Sequence, residues 1–156
     1  MGKWLDHALA LAREYEGLHR VGKDGMIYPY HDPVGFPTQA WGRLLSREKW
    51  EALSKYPPIT RAEADEWLMQ DLAKHARAVW RLCPVEMTPG MFAALVDFSF
   101  NVGPGNLETS TLRRRVLAGD RQGAGDQFPR WVYAQSVKLP GLVRRRAAER
   151  ELFLAD

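Results

Sequence analysis

Glu16 stands where an amphipathic helical pattern gives way to a glycine-rich segment, beside the apolar Tyr15 and Leu18. Partial burial at such a junction favours a protonated carboxyl. Asp32 lies in the turn-rich stretch Tyr30-His31-Asp32-Pro33-Val34-Gly35, where a more polar setting leaves a carboxylate ionised. Two carboxyls held in different environments are what glycosidic bond cleavage requires. One gives a proton to the leaving oxygen, and the other supports the oxocarbenium-like centre or an attacking water. Residue types alone leave the bland reading open: fourteen acids precede residue 112, and Asp32 suits an Asx turn equally well.

Other chemistries find less support. The histidines His7, His19, His31 and His75 lack HExxH spacing, and Cys83 is the only cysteine, so no zinc set is expected. Gly22/Gly25 and Gly103/Gly105 lack the strand, glycine loop and helix order of a phosphate cradle. There is no GxSxG, and Ser99 near Asp97 reads as an ordinary helix side chain. Cys83 reads as a small buried hydrophobe. Arg144, Arg145 and Arg146 spread around a helix and read as a solvated or ion-paired surface, or as a contact for an anionic polymer.

The elements that must position these residues follow from periodicity and punctuation. Trp4, Ala8, Leu11, Tyr15 and Leu18 mark a first helix to about Gly17. Glycines and prolines between Gly22 and Gly42 restrict that segment to short strands and turns. Ser46 predicts the N-cap of a short helix to about Tyr56, stopped by Pro57 and Pro58. Thr60 and Glu63 form a capping box for a long helix ended by Pro84. Thr88-Pro89 opens an apolar helix, Ser110 and Asp120 each cap a further one, and a last helix follows Gly141.

A 156-residue chain that is 46% apolar and 26% charged suits one globular domain able to build a core without disulfides. No apolar run approaches the ~18 residues of a membrane span, so neither a signal peptide nor an anchor is expected. Charge is uneven: residues 1–112 carry 12 basic and 14 acidic side chains, residues 113–156 carry 10 and 5. The basic end would suit nucleic acid, an anionic membrane or an acidic wall polymer, and charge alone does not choose among them.

Three blocks carry a family resemblance. The first is Tyr15-Glu16-Gly17-Leu18 with Tyr30-His31-Asp32-Pro33-Val34-Gly35-Phe36-Pro37-Thr38 and Gly42. The second runs from Ala93 to Gly103, with Ser110-Thr111-Leu112 shortly after. The third is Phe128-Pro129-Arg130-Trp131-Val132-Tyr133 followed by Leu139-Pro140-Gly141-Leu142-Val143 and the arginines. In that order, and over nearly the whole chain, they resemble the bacteriophage-type lysozymes of glycoside hydrolase family 24.

The resemblance implies an α+β lysozyme-like fold over residues 1–156. It would comprise a small β-containing lobe (about 18–59), a connecting helix (about 60–83), and a helical lobe (about 84–156 plus 1–17), with a cleft between the lobes. It also implies a muramidase that hydrolyses the β-1,4 bond between N-acetylmuramic acid and N-acetylglucosamine without cofactor or metal. Glu16 would be the general acid, Asp32 the carboxylate assisting the water, and Thr38 the residue placing that water. Leu44, Phe100, Asn101 and Thr111 would contact the sugars. The expected partner is peptidoglycan, met by a monomer that binds no nucleic acid and does not insert stably into membranes. The enzyme would wait in the host cytoplasm until lysis, and a separate holin-type partner or carriage in a virion would give access to the wall.

The chain also departs from the family pattern. Fifteen residues separate Glu16 from Asp32, where many members have eight, so Asp24 is a rival for the second carboxylate. The Tyr-x-Asp-Pro-x-Gly context and the step to Thr38 favour Asp32. After Thr38, Gln39-Ala40-Trp41-Gly42-Arg43 replaces the usual Thr-Ile-Gly-x-Gly-His run. Rival functions are a lytic transglycosylase, which needs only one glutamate, and an inactive wall-binding or virion module. The Asp32/Thr38 pair argues for hydrolysis.

Overall fold

The computed structural model describes residues 2–155. The chain forms two compact units, one of residues Ala12–Asp71 and the other of the flanking chain up to Leu11 and from Leu72. The division falls inside two helices, α1 (Lys3–Glu16) and α2 (Arg61–Leu82). Leu5, Ala8, Leu11 and Ala12 give α1 its buried stripe, and Gly17, at φ +71°, ends it.

In the Ala12–Asp71 unit, strands β1 (Tyr30–His31), β2 (Pro37–Gln39) and β3 (Arg43–Leu44) form an antiparallel sheet in chain order. Tyr30 pairs with Thr38, and Thr38 with Leu44. Directly opposed residues share a sheet face, so these three side chains form a row across it. Ile27 and Ile59 exchange backbone hydrogen bonds of 2.7 and 3.0 Å, tying the glycine-rich segment to the approach of α2. Gln39 is buried, and its amide donates to the carbonyls of Ile27 and Pro57 at 2.9 and 3.1 Å, which offsets its desolvation.

The run that departs from the family pattern docks on α2. Trp41 Nε1 donates to Asp65 at 3.0 Å, and the Arg43 guanidinium forks onto Asp71 at 3.0 and 3.1 Å while lying 4.5 Å from the Trp67 ring centroid. The arginine therefore combines a bidentate charge pair with ring stacking. Thr60 and Glu63 form the expected capping box, with Glu63 N–H to Thr60 Oγ1 at 3.1 Å.

The helix expected from Ser46 to Tyr56 is absent. Ser46 Oγ accepts from Glu48 N–H at 3.0 Å in a local turn, Trp50 adopts φ +61°, and only Leu53–Lys55 winds into a 3₁₀ turn. A hydroxyl that bonds two residues ahead supplies an alternative to a helix cap.

The other unit is built around α3 (Pro89–Val102), whose residues Ala93 to Ser99 are all buried. Thr88 caps it by accepting from Met91 N–H at 3.1 Å, with Pro89 in the first turn. Helices α4 (Pro104–Glu108), α5 (Thr111–Leu117) and α6 (Arg121–Gly125) follow, the last two capped by Ser110 and Asp120. A 3₁₀ turn at Phe128–Arg130 leads to a hairpin of β4 (Tyr133–Ala134) and β5 (Val137–Lys138), then α7 (Pro140–Leu154). Phe98 meets Phe128 and Trp131 edge-on at 5.7 and 5.2 Å, and Phe153 packs on Phe128 at 5.5 Å. Cys83 is fully buried, which pushes its thiol up to about 11 and leaves it an inert core side chain.

The arginine run corrects the surface reading. Arg144 is exposed, but Arg145 and Arg146 are 3% and 0% exposed. Arg145 Nε and Nη2 donate to the two oxygens of buried Asp97 at 2.9 and 2.8 Å. Arg146 donates to Asn101 at 2.8 Å and to Glu149 at 2.9 Å, and its guanidinium lies 5.1 Å from the Phe98 ring centroid. Burial and the neighbouring Asp97 push the Glu149 carboxyl well above its ordinary range, against the pull of both arginines. Two of the three arginines thus belong to a buried ionic cluster on α3 and α7.

Candidate active site

Glu16 is the last residue of α1, half-buried, and its carbonyl accepts from His19 Nε2 at 3.0 Å. Its carboxyl lies against Gly42 in the β2–β3 turn: a Cβ on Gly42 would stand 3.1 Å from Oε2. Gly42 also holds φ +97°, which a side chain would strain.

Asp32 follows β1. Its Oδ1 accepts from Val34, Gly35 and Phe36 N–H at 3.0, 2.8 and 2.8 Å, while its own N–H donates to Phe36 O at 3.0 Å. The Asx turn foreseen as the bland reading is therefore present, and it fixes the carboxyl plane through one oxygen. Thr38, on β2 and 6% exposed, donates its hydroxyl proton to Phe36 O at 2.9 Å. That leaves lone pairs of Oγ1 as acceptors. Leu44, beside Thr38 in the sheet, is 41% exposed.

Tyr30 lies across the sheet from Thr38. Burial pushes its phenol up, and the charges of Glu16 and then Asp32 push it further, against Arg20. Tyr30 is not a residue whose type points to the chemistry; its place two residues before Asp32, on β1, is the signal the sequence offers. The rival Asp24 is committed elsewhere. It accepts from the Tyr28 hydroxyl and from Met26 N–H, and these bonds hold its carboxyl below the ordinary range.

Glu16, Asp32, Thr38 and Leu44 all lie in the Ala12–Asp71 unit, whereas Phe100, Asn101 and Thr111 belong to the other. There Phe100 meets the His75 ring edge-on at 5.7 Å, Asn101 accepts from Arg146, and Thr111 Oγ1 accepts from Arg114 at 2.8 Å. Among the described residues no group of three or more His, Cys, Asp or Glu side chains is placed to hold a metal ion. No described helix is long and apolar enough to cross a membrane.

Residues 22–149 match the phage lysozyme family. The chain belongs to that family. It is 40% identical over 134 residues to the SAR-endolysin of Enterobacteria phage P21, covering 85% of this chain and 78% of the relative. Among solved structures, the muramidase domain of SpmX from Asticaccaulis excentricus superposes with a TM-score of 0.78 at 28% identity, covering 96% of this chain and 95% of that one. The endolysin from Escherichia coli O157:H7 phage FAHEc1 superposes with a TM-score of 0.78 at 27% identity, covering 95% and 90%. The expected α+β lysozyme-like fold is borne out, and so is the activity class: the protein is a glycoside hydrolase, a muramidase that degrades peptidoglycan in phage lysis. Glu16 precedes the matched span, so its assignment rests on its own motif and geometry.

Proposed function

We propose that Glu16 is the general acid, Asp32 the base that activates water, and Thr38 the group that orients that water. Glu16 gives its proton to the glycosidic oxygen as the bond from C1 of N-acetylmuramic acid breaks. Water attacks C1 and loses a proton to Asp32, leaving a new reducing end on the muramic acid. Proton exchange with solvent then restores both carboxyls. The observation that carries this reading is that one small sheet gathers the set: Asp32 and Thr38 flank its β1–β2 turn, and Gly42 in its β2–β3 turn lies against the Glu16 carboxyl. The Asp32 Oδ1 is anchored by three N–H groups, which orients the carboxylate towards its task. Thr38, with its proton given to Phe36 O, accepts a hydrogen from the water.

Leu44, Phe100, Asn101 and Thr111 are the candidates for sugar contacts, mixing apolar and hydrogen-bonding groups as an amphipathic ring requires. We take the enzyme to act as a monomer, held in the host cytoplasm until a holin-type partner opens the way to the wall. A lytic transglycosylase would use Glu16 alone and would have no use for Asp32 and Thr38.

Water attack opposite the leaving group inverts the anomeric carbon. Proton NMR of the first products released from soluble glycan fragments should therefore show the α-anomer before mutarotation. An initial β-anomer would replace this mechanism with a covalent, retaining one. Gly42→Ala should lower kcat by about threefold, because φ +97° strains a side chain there and its Cβ, 3.1 Å from Oε2, would push the Glu16 carboxyl by a few tenths of an ångström. Release of soluble fragments from dye-labelled peptidoglycan checks this, and unchanged kcat would show that the Glu16 carboxyl accommodates the added methyl group without loss.

A further inference from the structure

Trp50 is 65% exposed, yet it is held in a conformation that bulky residues avoid, φ +61°. The turn of Asp32 holds it there. Trp50 N–H donates to Gly35 O at 2.7 Å, and the indole lies so close over Gly35 that a Cβ there would stand 2.5 Å from its Cε2. The ring also sits 5.2 Å from that of His31, whose Nε2 donates to Glu51 O at 2.7 Å. A residue needed only to supply an N–H to this turn would not need an indole, and a ring needed only as core would be buried. Here the ring is fixed against the turn that carries Asp32 while the residue stays 65% exposed, and Val34 of that turn is 37% exposed.

We infer that Trp50 is the platform of a sugar subsite on the Asp32 side of the catalytic carboxyls, taking an N-acetylated hexosamine ring of the glycan strand. The indole offers an apolar face to the ring C–H groups and the acetamido methyl, with Nε1 as a hydrogen-bond donor at its edge. Arg47 and Lys49 are exposed on the same segment, with Glu48 between them, and Lys49 Nζ lies 5.5 Å from the Phe36 ring centroid. These cations complement the carboxylates that the peptide stems on muramic acid carry. Fixing the ring in the free protein lowers the ordering cost on binding.

The subsite rests on the reading of Asp32 as a catalytic residue, so its test separates binding from turnover. Soluble glycan fragments prepared from purified peptidoglycan are titrated into the Glu16→Gln protein, with and without Trp50→Ala, and binding is followed by calorimetry. Trp50→Ala should weaken binding by about tenfold and Trp50→Phe should recover most of it. In the otherwise wild-type enzyme, Trp50→Ala should raise KM by a similar factor with kcat within about threefold. Unchanged affinity and KM would overturn the subsite. A fall in kcat with KM unchanged would also overturn it, leaving Trp50 as a prop for the Asp32 turn. Because affinity is read without turnover, failure of the Asp32 mechanism would show separately, as hydrolysis surviving Asp32→Asn.

Discussion

Asp32→Asn is expected to lower kcat on purified peptidoglycan by roughly 10²–10⁴-fold while leaving the circular dichroism spectrum and thermal midpoint nearly unchanged. The reason lies in how the carboxyl is used. Oδ1 accepts all three N–H groups of the turn, and the amide oxygen of asparagine can take the same bonds. What asparagine cannot do is accept the proton of the attacking water. Asp32→Ala removes the turn acceptor as well, so it should lose both activity and stability, the latter by about 1–3 kcal/mol for the N–H groups left without it. An active Asp32→Asn beside an inactive Asp32→Ala would reduce Asp32 to a turn residue.

The second large effect is on stability. Asp97→Ala should destabilise the protein by about 3 kcal/mol in denaturant melts, because it removes the carboxylate that the buried Arg145 guanidinium forks onto and leaves Glu149, 3.8 Å away, as a poorer counter-charge. Arg145 is 3% exposed and forks onto Asp97 at 2.8 and 2.9 Å, across 48 residues of sequence. Asp97→Asn keeps an acceptor but removes the charge, and should fall between wild type and alanine. A loss below about 1 kcal/mol would place the pair among those that exposed salt bridges resemble.

Local chemistry made much of the fold legible. Thr88, Ser110 and Asp120 cap their helices through bonds to the N–H three residues on, and Thr60 with Glu63 closes a capping box. Such signals involve only near neighbours, so sequence carries them whole. The failures are of the opposite kind. Arg145 and Arg146 looked like surface because their partners Asp97 and Asn101 are 48 and 45 residues away. The β4–β5 hairpin turns through Gln135 and Ser136 at φ +49° and +66°, without the glycine that usually announces such a turn. Ser46 Oγ accepts from Glu48 N–H in a local turn and caps no helix, while the turn of Asp32 takes the N–H of Trp50.

At the site, the candidate side chains stand in the sequence and the contacts that support them do not. Glu16, Asp32 and Thr38 stand in a motif with recognisable spacing, and one unit of the structure contains all three. The approach of Gly42 to Glu16 and the clamp of Trp50 on Gly35 depend on chain returns that no spacing encodes. Asp24 was a fair rival by count of residues alone. Both acids accept backbone N–H groups of their own turns, and it is the motif around Asp32 and its step to Thr38 that favour Asp32.

Mass spectrometry of fragments released from purified peptidoglycan by the wild-type protein, Glu16→Gln and Asp32→Asn tests the central claim most directly. A hydrolase using this pair yields fragments ending in reducing N-acetylmuramic acid, lost with either substitution. Anhydro ends from the wild type, with Asp32→Asn still active, would contradict it and make the enzyme a transglycosylase working through Glu16 alone.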